Sequence, residues 1–145
     1  MRNGARISGC STIDLNSGGG GIKVYEGGNV HVTGGSVIED CWSEAGGGAI
    51  AAVARCVVKV DNEVRFERCY SLTVGGALTA FSSGSISVSD STFASCTAVG
   101  GGVARLAGGG LITFNGCRIV GCSASTFAGA FFLRGTSQAR SERDM

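Results

Sequence analysis

The chain contains no proline, one histidine and one tryptophan among its 145 residues. Without proline, no turn is set by a locked φ, and no X–Pro bond can slow folding by isomerising. Charge is scarce too. Only 16% of residues are charged and the formal net charge is +1, so no long-range field draws in nucleic acid or an anionic membrane. No run of 18 or more apolar residues occurs, so no membrane-spanning helix is expected. The opening MRNGARISGC carries arginines without an apolar stretch and does not resemble a signal peptide.

Glycine and cysteine are plentiful instead, at 26 and 7 residues. The glycines are clustered rather than placed at every third position, which excludes a collagen helix. Hydrophobic residues make up 43% of the chain and the mean hydropathy is positive. That argues for a packed structure and against disorder.

The order of these residues is repetitive. The motif [Ile or Phe]-x-x-Cys occurs at Ile7–Cys10, Ile38–Cys41, Phe66–Cys69, Phe93–Cys96 and Ile119–Cys122, with cysteines 31, 28, 27 and 26 residues apart. Between cysteines, a glycine block precedes an apolar residue: Gly18 to Ile22, Gly46 to Ile50, Gly75 to Leu78 and Gly100 to Val103, with Ala128 to Phe131 as a weaker copy. A period of this length marks a repeat architecture. Each repeat holds about three short apolar runs, several alternating with period two, as in Val30-His31-Val32 and Ser85-Ile86-Ser87-Val88-Ser89. No segment has a helical period, and the glycine density would penalise one.

Three short strands per repeat, separated by turns, predict an all-β right-handed parallel β-helix of about four to five rungs stacked ~4.8 Å apart. Ile7, Ile38, Phe66, Phe93 and Ile119 are expected to form one inward column. Cys10, Cys41, Cys69, Cys96 and Cys122 should form a second at the next corner. Ile22, Ile50, Leu78, Val103 and Phe131 should form a third. Residues 1–135 are read as one repeat domain and 136–145 as a polar, disordered tail. No polar caps are recognisable, so the chain is expected to be a slice of a longer solenoid, or an incomplete gene product. Its partners would be further rungs or other copies of itself.

The pairing of Gly75-Gly76-Ala77-Leu78 with Phe93-Ala94-Ser95-Cys96, and of Gly47-Gly48-Ala49-Ile50 with Phe66-Glu67-Arg68-Cys69, resembles the repeats of chlamydial polymorphic outer membrane proteins. Similar repeats occur in large surface proteins of bacteria and protists. The resemblance covers nearly all of Ile7 to Leu133, with Cys standing where that family's second motif usually has Asn. It implies a β-helical passenger, an adhesive role and a location at the cell surface, outer membrane or exterior.

The same fold hosts pectin-degrading enzymes, which need convergent aspartates or an acidic Ca²⁺ cluster. Asp61 and Asp90 lie 29 residues apart and are candidates for neighbours on adjacent rungs, whereas Asp14, Asp40 and Asp144 fall in other phases. His31 is expected to face outward without a partner, and no Ser-His-Asp set is in view. The cysteines read as stacked buried thiols. Cys117 and Cys122 are the only close pair, no zinc spacing is present, and in-register neighbours are poorly placed for disulfides. No metal or cofactor is expected. Trp42 and Tyr70 each follow a repeat cysteine, so they should stack on adjacent rungs, as an aromatic ladder or a glycan contact. Arg6, Arg65 and Arg118, interrupted by Val37 and Thr92, read as solubilising charge. The sequence therefore points to a non-enzymatic scaffold or adhesin-like segment that contacts surface glycans or cell-surface proteins. A pectin-lyase-like enzyme is the alternative.

Overall fold

A computed structural model describes residues 4–13, 18–127, 131–133 and 138–142. The first coil contains β1 (Arg6–Ser8), β2 (Ser11–Thr12), β3 (Ile22–Val24) and β4 (Asn29–Val32). The second contains β5 (Val37–Glu39), β6 (Trp42–Ser43), β7 (Ile50–Val53) and β8 (Val57–Val60). The third contains β9 (Arg65–Glu67), β10 (Tyr70–Ser71), β11 (Leu78–Phe81) and β12 (Ser85–Ser89). The fourth runs β13 (Thr92–Ala94), β14 (Thr97–Gly100), β15 (Ala104–Leu106) and β16 (Leu111–Asn115). The last runs β17 (Arg118–Val120), β18 (Ser123–Phe127), β19 (Phe131–Leu133) and β20 (Gln138–Glu142). Like strands of successive coils pair in parallel into four five-stranded sheets, and no helix occurs among the described residues. The chain is a parallel β-solenoid.

Each coil has four strands, one more than the sequence suggests. The additional strand follows each repeat cysteine and is only two residues long in β2, β6 and β10. The five motif residues stack in register, Ile7 on Ile38, Ile38 on Phe66, Phe66 on Phe93 and Phe93 on Ile119. Ile38, Phe66 and Phe93 are fully buried. The Phe66 and Phe93 rings stack at 4.6 Å, and Phe114 meets Phe93 edge-on at 5.7 Å. At the outermost coils Ile7 is half-buried and Ile119 is 39% exposed.

The third column differs from expectation by one residue. Leu78 pairs with Ala104, and Ala104 with Phe131, while Val103 stacks with Ala49 and Ala77 one place earlier. The glycine block is thus Gly-Gly-small-apolar, and Gly100 belongs to β14. Within the stretch set aside as a tail, Gln138–Glu142 pairs along its length with β16. Residues 136–137 and 143–145 lie outside the described residues.

The glycines are required by close approach more than by turning. A Cβ on Gly76 would sit 2.2 Å from the carbonyl oxygen of Gly102 and 2.6 Å from that of Thr97. Gly46 (φ +121°) lies where a Cβ would meet Thr79 Oγ1 at 2.7 Å. The segment leading into β7 therefore folds across the outer side of the third sheet, and Ala51 and Thr79 are buried despite facing away from the core.

Two substitutions test this account. Phe66→Ala should cost about 3–5 kcal/mol in denaturant unfolding, because stacked neighbours on both sides cannot collapse into the void. Ile119→Ala, at a partly exposed position, should cost much less. Gly76→Ala should abolish the cooperative transition, since the obstructing atoms are backbone. Wild-type-like unfolding of Gly76→Ala would contradict the stacking geometry.

Candidate functional site

All four corners of each of the first four coils include residues in the left-handed region. At the corner between the first and second strands these are Gly9, Asp40, Arg68, Ser95 and Gly121, with φ of 66°, 51°, 51°, 55° and 63°. Each immediately precedes a repeat cysteine, so the motif reads apolar, spacer, left-handed residue, Cys. The cysteine side chain then turns inward where the two ladders break. Cys41, Cys69 and Cys96 are fully buried, while Cys10 and Cys122 on the outer coils are half-buried.

These thiols complete the corner. Cys10 donates to Ser8 O (3.6 Å), Cys41 to Glu39 O (3.2 Å) and Cys69 to Ile38 O (3.5 Å). Cys96 donates to Phe66 O (3.6 Å) and Cys122 to Val120 O (3.7 Å). In return a sulfur accepts the N–H of the preceding coil's cysteine, seen most directly from Cys96 N to Cys122 Sγ at 3.3 Å. The same contact links Cys10 N–H to Cys41 and Cys41 N–H to Cys69. All seven cysteines are free. Cys56 and Cys117 stand at two other corners and donate to Val24 O (3.1 Å) and Val88 O (3.4 Å). Cys117 is thus separated from Cys122 by a strand and a corner.

Burial pushes the Cys41 thiol up to about 12, and raises Cys56 and Cys117. Cys96 is raised by the neighbouring thiols of Cys122 and Cys69 and by burial, and both neighbours are lowered by its proximity.

Charge gathers outside this corner. Arg68 spans Asp40 (2.8 and 3.0 Å) and Glu39 (3.2 Å), while Arg6 reaches Glu39 at 2.6 Å. The Arg68 guanidinium holds Asp40 below the usual carboxylate range, and Arg6 does the same for Glu39. Arg6, Val37, Arg65, Thr92 and Arg118 do form one outward row, but Arg6 and Arg65 are engaged with Glu39 and Glu67.

Trp42 and Tyr70 pair in register and stack at 5.8 Å with an interplanar angle of 7°. Ser11, Thr97 and Ser123 continue the row. Tyr70 (38%), Leu72 (52%) and Ile13 (74%) are exposed on this outer face of the second sheet.

The aspartates do not gather. Val60 pairs with Val88, so Ser89 follows on from Asp61's place and Asp90 stands one position later, in the corner. Asp61 is engaged elsewhere. Thr33 Oγ1 donates to it, His31 Nε2 is 3.0 Å away and Lys59 Nζ 3.3 Å away. Thr33 is the chief cause of Asp61's lowered pKa. His31 does face outward, but it has a partner that sequence spacing missed. The signal was available: His31, Lys59 and Asp61 fall in neighbouring positions once the 28-residue register is applied. Asp14 and Asp144 lie outside the described residues. Glu63, Arg65, Asp90 and Thr92 line a shallow groove of about 460 Å³ with Gly35 and Val37.

Among the described residues, no three His, Cys, Asp or Glu side chains converge as metal ligands. No helix long and apolar enough to cross a membrane occurs among them. Comparison with protein-family models, curated proteins and solved structures finds no match.

Alkylation should distinguish the thiols. In the native protein the half-buried Cys122, lowered by its neighbour Cys96, should label before the fully buried thiols, while Cys41 should stay unlabelled to at least pH 9. Peptide mass spectrometry after timed iodoacetamide pulses reads this out. Acid should act through the carboxylates. Asp40, Asp61 and Glu39 are depressed in the folded state, so their contribution is full above the unfolded carboxylate range and is lost as pH falls through the folded values. The urea midpoint should hold from pH 8 to pH 5 and drop below about pH 4. Arg68→Ala should flatten that drop.

Proposed function

We propose that the chain is a β-solenoid scaffold with an adhesive outer surface, a non-catalytic segment of a larger cell-surface or secreted protein. The observation that carries this reading is the axial register. Outward side chains of successive coils lie in straight rows on a stiff support, which suits a surface that recognises extended partners. The outer face of the second sheet is the best contact surface. Trp42 and Tyr70 supply aromatic area beside Leu72 and Ile13, a combination suited to surface glycans or proteins. The edge strands β1–β4 and β17–β20 would pair with further coils or with a second copy. The likeness of its repeats to those of chlamydial polymorphic outer membrane proteins agrees with a surface role.

The groove beside Glu63 and Asp90 favours a second reading, a pectin-lyase-like carbohydrate-active enzyme, because it sets two carboxylates near Arg65. Release of oligosaccharides from an acidic polysaccharide, lost in Asp90→Asn, would establish that reading over the first.

The test of the scaffold reading is protease shaving of intact source cells, followed by mass spectrometry of the released peptides. Peptides such as those spanning Trp42 and Tyr70 should appear in the shaved fraction and derive from a chain much larger than 14.5 kDa. A 14.5 kDa chain found only inside cells would overturn it. In parallel, Tyr70→Ala combined with Trp42→Ala should weaken adhesion of the purified domain to cells about tenfold or more. Loss of a stacked aromatic contact alone accounts for about one factor of ten.

A further inference from the structure

The cysteine column places five sulfurs in one line along the axis, one per coil, at a strand spacing of ~4.8 Å. Neighbouring cysteines of the column stand side by side, most directly at Cys96 and Cys122, where the Cys122 sulfur lies 3.3 Å from the Cys96 N–H. No three donor side chains converge among the described residues, so the tetrahedral enclosure that zinc prefers is not formed. A line of soft sulfurs offers pairs instead. Thiolate ligands select Cu(I) among physiological cations, and a d¹⁰ monovalent ion is content with two of them.

We propose that Cys96 and Cys122 form a two-sulfur site for a soft monovalent cation, Cu(I) or its surrogate Ag(I), held between the fourth and fifth coils. Access selects an end of the column. Cys41, Cys69 and Cys96 are fully buried, whereas Cys122 and Cys10 are half-buried. Charge then chooses between the two ends. The complex is anionic, and the Cys10–Cys41 pair lies beside Glu39 and Asp40, whose counter-charges Arg6 and Arg68 are already committed to them. Around Cys96 and Cys122 the corner residues are Ser95 and Gly121, followed by Thr97 and Ser123, all uncharged. The Cys96 N–H, 3.3 Å from Cys122 Sγ, supplies a donor to the bound sulfur.

The step involves no change of oxidation state. One Cu(I) and two thiols give a bis-thiolate complex and two protons. Two S–H bonds break, two Cu–S bonds form and the protons pass to solvent. The Cys96 thiol gives up its contacts with Phe66 O and Ala94 O, so the ion replaces a thiol hydrogen bond with a cross-link between coils.

The experiment is anaerobic titration of the reduced full chain with Cu(I) and, separately, Ag(I). It is followed by native mass spectrometry, sulfur-to-metal charge-transfer absorption and thermal unfolding. One ion should bind first, raise Tm and protect Cys122 from alkylation. Cys122→Ser, whose hydroxyl still accepts the Cys96 N–H, should fold and lose that first ion, while Cys10→Ser should keep it. Retention of the first ion by Cys122→Ser would overturn the proposal, and so would its equal loss from Cys10→Ser. Uptake in proportion to all seven thiols, with collapse of the strand circular dichroism, would show non-specific mercaptide formation and would also overturn it.

Discussion

Axial register is the constraint on which everything else rests. Each coil's strands pair only with strands of the coils on either side, so a core residue's environment is set chiefly by its counterparts 26 to 31 residues away. Like must lie on like, or at least on a residue of compatible volume. Phe66 on Phe93 shows the benefit: two flat rings at 4.6 Å fill the interior without a void. The glycine block shows the demand. Where one coil's backbone crosses another's carbonyls closely, no Cβ can be accommodated. In this architecture a core position is a column, and a substitution is felt by the coils above and below.

Corners are where register alone does not suffice, because the parallel ladders break there and leave buried N–H and C=O groups. Cysteine answers this with one small side chain. Its thiol donates to a carbonyl, its sulfur accepts an N–H from the previous coil, and its bulk fits beneath a left-handed residue. An amide side chain could serve the same groups, but with a longer reach and two further donors to satisfy. Asp40 and Arg68 use the left-handed corner differently, extending outward to tie neighbouring coils by charge. The corner is therefore apolar and thiol-lined within, ionic without.

Legibility followed the length of the signal. The motif column was readable because five copies of a bulky residue and a cysteine repeat at nearly constant spacing. The additional strand of each coil was not, because Ser11-Thr12, Trp42-Ser43 and Tyr70-Ser71 are too short to display a period. The slip from Val103 to Ala104 has a physical cause as well. Residues 49, 77, 103 and 104 are all apolar and lie next to another apolar residue, so apolar character alone could not fix the register by one residue. Stacking of Trp42 on Tyr70 was deducible from their shared place after a cysteine. The link from His31 to Asp61 demanded register and corner geometry together, since Asp61 reaches back across a coil to both His31 and Thr33.

The outer surface bears on function through the same geometry. Because the interior is fixed by stacking, variation is tolerated mainly at outward positions and at turns. There the rows alternate between charge, hydroxyls and the aromatic step. The second sheet is the thinnest in its first three coils, with two-residue strands, yet it carries the exposed Ile13, Tyr70 and Leu72. Burying those side chains within the chain would require a covering segment like the one that folds over Thr79 on the third sheet. No described segment does so on the second sheet. Apolar area left facing water on a stiff support is costly to the isolated domain and favourable once a partner lies against it. These exposed side chains are the packing observation that supports the proposed contact role of this face.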